Sequence, residues 1–127
     1  MKKVIGLFLI FVMFALLSFS TQNNCRKYFK GKWKYEKYDA EYIYVVREEK
    51  VQRAYMENGK YYYEFSINWL SDCSYELTYV GTNSPNPAVA KIGEKFSVEI
   101  TNINDSITEY KTIFREKTDV GRMVRMK

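Results

Sequence analysis

The sequence contains no histidine. That absence removes Ser-His-Asp and Cys-His nucleophilic catalysis, HExxH zinc chemistry and any switch built on imidazole titration. Only 2 prolines and 6 glycines punctuate the 127 residues, so the composition is neither low-complexity nor that of a disordered chain. The 2 cysteines lack C-x-x-C spacing, and two thiols without imidazole make a poor metal site; no metal is expected. No repeat of about 20–50 residues and no long amphipathic helical pattern is visible. No cofactor fingerprint and no S-x-x-K motif occurs, and the carboxylates show no spacing that singles out a catalytic pair. The expectation is a non-catalytic protein without a cofactor.

Charge is also unevenly distributed. The first 20 residues hold none of the 15 acidic side chains and only two of the 20 Lys and Arg. They read Met1-Lys2-Lys3 followed by an apolar run from Val4 to Phe19, the pattern of a secretory signal. Small residues at Ser18 and Ser20 place cleavage after Ser20. The run is shorter than the ~20 residues that span a bilayer comfortably, which favours a signal peptide over an uncleaved anchor. Residues 1–20 are therefore expected to be a signal peptide and residues 21–127 a single domain, exported to the periplasm or the extracellular space. Lipidation at Cys25 is the less favoured route, because Gln22-Asn23-Asn24 is more polar than the small apolar pattern that lipidation requires. Membrane contact is expected only through the signal segment or such a lipid.

Without the signal the net charge falls from +5 to +3, too mild to argue for nucleic acid as a partner. Two cysteines in a small exported chain predict one disulfide between Cys25 and Cys73. Closing that 48-residue loop is worth about 4 kcal/mol in the chain-entropy account. Lipidation of Cys25 would exclude the bridge.

What remains is rich in aromatics, with 12 tyrosines in the whole chain. Alternation with β-branched and aromatic residues predicts about eight strands, near 31–38, 41–48, 51–57, 60–69, 73–80, 95–103, 107–116 and 121–126. Asn58-Gly59 is the strongest turn signal. It sets Met56 opposite Tyr61, Ala54 opposite Tyr63, Gln52 opposite Phe65 and Arg53 opposite Glu64. A three-residue loop at Leu70-Ser71-Asp72, with Asp72 left-handed, is expected to set Trp69 against Cys73, Ile67 against Tyr75 and Phe65 against Leu77. Asn104-Asp105-Ser106 is expected to join Phe96, Val98 and Ile100 to Phe114, Thr112 and Tyr110. The segment from Gly81 to Ile92 is the one long connection, open to being a lid, a strand crossover or a plain loop. Short loops imply an antiparallel all-β meander, closing into a lipocalin-like up-and-down barrel or a strongly curved sheet. A two-layer β-sandwich split at the Gly81 loop is the alternative.

The arrangement Cys25, Phe29, Gly31-Lys32-Trp33, Arg47, Gln52 and Trp69-x-x-x-Cys73-x-Tyr75-x-Leu77 resembles a group of small secreted Bacteroidetes β-proteins. They share an early Cys, an F-x-x-G-x-[FW] start, an R…Q pair and a W-x-x-x-C-x-Y-x-L centre. The likeness covers roughly residues 25–80. It implies an exported β domain and no particular activity. Some members carry the name DNA topoisomerase IV, but an exported domain of this size cannot hold the ATPase fold and acidic metal ligands of a type II topoisomerase.

Two residues carry the functional expectation. A two-residue turn at Glu49-Lys50 sets Arg47 opposite Gln52, on the face that carries Ile43, Val45, Ala54, Met56 and Phe65. An inward arginine is costly unless it is paired. It could bind a carboxylate or other anionic head group, snorkel to solvent, or meet an internal acid. Arg47, Gln52, Tyr63 and Trp69 form the candidate ligand set, for a small amphiphilic or anionic molecule. The alternative is an envelope protein with a filled core that engages a protein or glycan through exposed Tyr42, Tyr44, Tyr55 and Tyr62. Lys27, Lys30, Lys32 and Lys34 beside Tyr28, Phe29 and Trp33 form a basic–aromatic stretch, best used as a solvated or envelope-facing surface.

Overall fold

The alternating pattern folds into eight antiparallel strands in the computed structural model, which describes residues 24–86 and 90–127. They are β1 (Gly31–Tyr35), β2 (Ile43–Arg47), β3 (Val51–Met56), β4 (Tyr61–Ser71), β5 (Ser74–Thr82), β6 (Lys95–Ile103), β7 (Ile107–Phe114) and β8 (Lys117–Arg125). Each strand pairs with its neighbour in sequence, and β8 returns to β1 through Trp33–Arg125, Lys34–Val124 and Tyr35–Met123. The sheet is thus a closed up-and-down barrel and not a two-layer sandwich. Closure leaves no free edge, and eight strands enclose a space that side chains nearly fill. The expected signal segment, residues 1–20, lies outside the described residues. Among the described residues no helix is long and apolar enough to cross a membrane.

Registers follow the two faces. The β3–β4 pairing sets Met56 opposite Tyr61, Ala54 opposite Tyr63 and Gln52 opposite Phe65, with Arg53 opposite Glu64 outside. Arg53 Nε donates to Glu64 Oε1 at 2.7 Å. Across β2 and β3 Arg47 faces Gln52. Across β6 and β7 Ile100 faces Tyr110 and Val98 faces Thr112. The β4–β5 register differs from the expectation by two residues: Trp69 faces Tyr75 and Ile67 faces Leu77. A bulge between Trp69 and Ser71 lengthens β4, expels Leu70 to 60% exposure and moves the turn to Asp72-Cys73. Because the shift is even, the inward face survives. Asp72 does not take the left-handed conformation; those positions are Glu57, Asn58, Arg115 and Glu116 among non-glycines of the turns.

The long connection joins β5 to its sheet neighbour β6, so it is no crossover; part of it, residues 87–89, lies outside the described residues. Arg115 ties this loop to the β7–β8 turn, donating from Nε and Nη2 to the Glu94 carboxylate at 2.6 and 2.7 Å.

One element was not expected, the short helix α1 (Cys25–Phe29). Five residues do not sustain a helix in water, so tertiary contacts must hold it. Asp72 Oδ2 accepts from the backbone N–H groups of Asn24 and Cys25, at 2.6 and 3.1 Å, capping its start. At its end Trp33 Nε1 donates to the Phe29 carbonyl at 2.9 Å. Arg125 donates to the carbonyls of Tyr28 at 2.6 Å and Lys30 at 2.9 Å. The Cys25–Cys73 disulfide fastens α1 to the β4–β5 turn. Gly31 then turns the chain into β1 with φ of 132°, where a Cβ would collide with the Arg125 guanidinium. The helix drives Phe29, 1% exposed, into the barrel end against Trp69 and Tyr75. This plugged end also carries the β2–β3, β4–β5 and β6–β7 turns.

Candidate functional site

Above the plug the barrel keeps an internal cavity of about 230 Å³. Half of its lining residues are polar: Arg47, Gln52, Tyr35, Tyr75, Tyr110 and Thr112. The remainder is apolar, from Ala54, Phe65, Leu77, Phe96, Val98 and Met123. Strand alternation brings these together. Each lies on the inward phase of its strand, and the register pairs Arg47 with Gln52 and Thr112 with Val98.

Arg47 is 2% exposed. Its Nη1 donates to Thr108 Oγ1 at 3.2 Å, and its guanidinium carbon lies 4.6 Å from the Phe29 ring centroid and 5.4 Å from that of Trp33. These ring faces favour a cation and replace part of its lost hydration. No carboxylate among the described residues pairs with it. Arg47 therefore neither snorkels to solvent nor meets an internal acid. Its Nε has no hydrogen-bond partner, and neither has Gln52 Oε1, although Gln52 is only 5% exposed. Buried polar atoms are nearly always paired, so two orphans on register partners single this pair out within the barrel.

The surrounding hydroxyls stay neutral. Burial pushes the Tyr35 phenol up to about 12, although the Arg47 charge pulls the other way. Burial also raises Tyr75 and Tyr110, again opposed by Arg47. Tyrosinate is thus not available to neutralise Arg47 near neutral pH, and the cavity carries a net positive charge.

Of the expected ligand residues, Arg47 and Gln52 lie together at the cavity. Tyr63 lies on the same inward face nearer the far end, its ring 6.5 Å from that of Tyr79. Trp69 belongs to the plug: its Nε1 donates to the Glu49 carbonyl at 3.0 Å and its ring packs on Phe29, with Arg26 over it. It sits below the cavity because β4 runs past the floor to reach the disulfide. Alternation gives Tyr110 only as the partner of Ile100 and gives Thr108 no role. Their inward phase on β7 was legible, but Thr108 meets Arg47 from 61 residues away.

Elsewhere, Cys25, Asp72 and Cys73 converge, but both sulfurs are used in the disulfide and Asp72 caps α1. The basic–aromatic stretch presents little aromatic surface, since Phe29 is 1% and Trp33 0% exposed. On the outer wall Tyr44 stacks on Tyr55 at 5.1 Å and Tyr55 leans on Tyr62 at 6.1 Å. No protein-family model matches this chain, and no curated protein and no solved structure matches it significantly.

Proposed function

We propose that this protein is an exported, non-catalytic β-barrel that encloses one small amphiphilic anion, with Arg47 holding its head group. One observation supports this reading: a buried arginine, without a carboxylate partner among the described residues, lines a cavity whose other polar groups are neutral and whose remaining wall is apolar. A bound anion would supply the missing charge and accept from the guanidinium, and in a water-poor enclosure such bonds are strong. The volume limits the tail. A dry cavity of about 150 Å³ accepts benzene, so this slightly larger one takes a single ring or a short chain. The closed ladder and the disulfide suit a module that must persist outside the cell. No reacting group joins Arg47 in the cavity beyond neutral hydroxyls, which supports binding over turnover.

Native mass spectrometry of the purified protein, beside a denatured spectrum, tests this. The expected native spectrum carries a small organic anion in one-to-one ratio, and the Arg47→Met protein loses it. A bare native mass, together with no heat of binding for 3-phenylpropionate or hexanoate, contradicts it.

The second reading, an envelope partner recognised by outer tyrosines, rests on Tyr38 and Tyr42, which are 52% and 57% exposed. Tyr44, Tyr55 and Tyr62 spend part of their surface on one another. A filled core would favour this alternative, and the cavity weighs against it.

A further inference from the structure

Deepening the anion-binding reading, on which it rests, we infer that the cavity selects a carboxylate bearing a hydroxyl on the adjacent carbon, that is, a short 2-hydroxy acid with an apolar tail. The two orphan atoms have opposite needs. Arg47 Nε–H is a donor and lacks an acceptor; Gln52 Oε1 is an acceptor and lacks a donor. They belong to residues directly opposite in register, yet they do not bond to each other. A plain carboxylate answers only the first. Its oxygens have no proton to give Gln52, and packing them against that oxygen would set two acceptors together. A hydroxyl one carbon away answers the second while the carboxylate bonds Arg47.

Other head groups fit less well. A sulfate monoester carries no donor for Gln52, and a phosphate monoester is mostly a dianion near neutral pH, which exceeds the single positive charge present. An amino acid offers a donor, but its ammonium would stand beside the Arg47 guanidinium with one free acceptor for three N–H bonds. A neutral alcohol leaves the arginine uncompensated. The tail has a matching wall in Phe65, Leu77, Phe96 and Val98.

The test is calorimetric titration of the protein, expressed from its full sequence, with 3-phenyllactate, 3-phenylpropionate and phenylalanine. These share one ring and one carboxylate and differ only at the adjacent carbon. Phenyllactate is expected to bind about tenfold or more tightly than phenylpropionate, because the latter leaves a buried acceptor unmade. Phenylalanine is expected to be weaker than phenyllactate. In Gln52→Leu the hydroxyl advantage should vanish while phenylpropionate still binds. Equal affinity of the wild-type protein for phenyllactate and phenylpropionate overturns the hydroxy-acid inference and leaves the anion site standing. Tighter binding of phenylalanine overturns it too. No binding of any carboxylate removes the anion site and this inference with it.

Discussion

Arg47 on β2 and Gln52 on β3 stand opposite one another inside the barrel, both almost fully buried, and each keeps one polar atom without a partner. A fold optimised only for stability would not keep this pair. A buried cation without a carboxylate partner among the described residues is costly, even with Thr108 and two ring faces against it, and apolar side chains of similar length would fill the same space.

Replacing the arginine should therefore separate stability from binding. Arg47→Met keeps most of the volume and removes the charge. Its urea midpoint is expected to rise, by about 1–2 kcal/mol of added stability, with the loss of the Thr108 bond trimming the gain. Binding of 3-phenyllactate should disappear. A clear fall in stability would mean that Arg47 is a structural tie.

Alkaline titration reports on the same cavity. Tyr35 ionises near 12 in the folded protein against 10.0 ordinarily. Between those values the unfolded chain has lost a proton that the folded chain retains, so stability falls as pH rises through that window. Below pH 10 this group contributes no pH dependence. Denaturant midpoints should decline across that range while tyrosinate absorbance of the folded protein rises only toward its upper end. A flat midpoint would mean that the buried phenols of Tyr35, Tyr75 and Tyr110 are hydrated.

The plug should prove dependent on its covalent tie. Removing the bridge with Cys25→Ser and Cys73→Ser is expected to cost about 2–5 kcal/mol. The helix α1, too short to persist alone, should loosen first, and Trp69 should show it as red-shifted emission while the strand signal in circular dichroism remains. Unchanged emission would mean that Asp72, Trp33 and Arg125 suffice to cap the helix.

Gly121 marks a close approach in the cavity wall. A Cβ there would lie 2.6 Å from Cζ of Tyr110 and would collide with its hydroxyl. Gly121→Ala should cost about 1–3 kcal/mol through overpacking and push Tyr110 into the cavity, weakening ligand binding. An unaffected thermal midpoint would show that Tyr110 can step aside.

Much of this architecture is legible in local alternation. The Asn58-Gly59 turn and the apolar phase of its flanking strands suffice to place Gln52 opposite Phe65, and the Glu49-Lys50 turn places Arg47 opposite Gln52. The disulfide follows from two cysteines and the expected export. The features that escape are non-local. The bulge at Leu70 lies beside Asp72 and Cys73, which are tied to α1, and no pattern in β4 announces it. The helix itself has no intrinsic stability, so its residues carry no periodic signal. Trp69 looks like a wall residue by alternation alone; only the overhang of β4 beneath the floor makes it part of the plug. The solitude of Arg47 depends on what all eight strands fail to supply, which emerges only when the barrel is closed.

The most direct measurement is the nitrogen–proton resonance of Arg47 Nε, followed by NMR while 3-phenyllactate is added. If the orphan donor is the anchor of an anion site, that resonance moves downfield and saturates at one equivalent, and its exchange with water slows. A resonance that stays in place throughout the titration, while other signals move or none do, would contradict an Arg47-centred site.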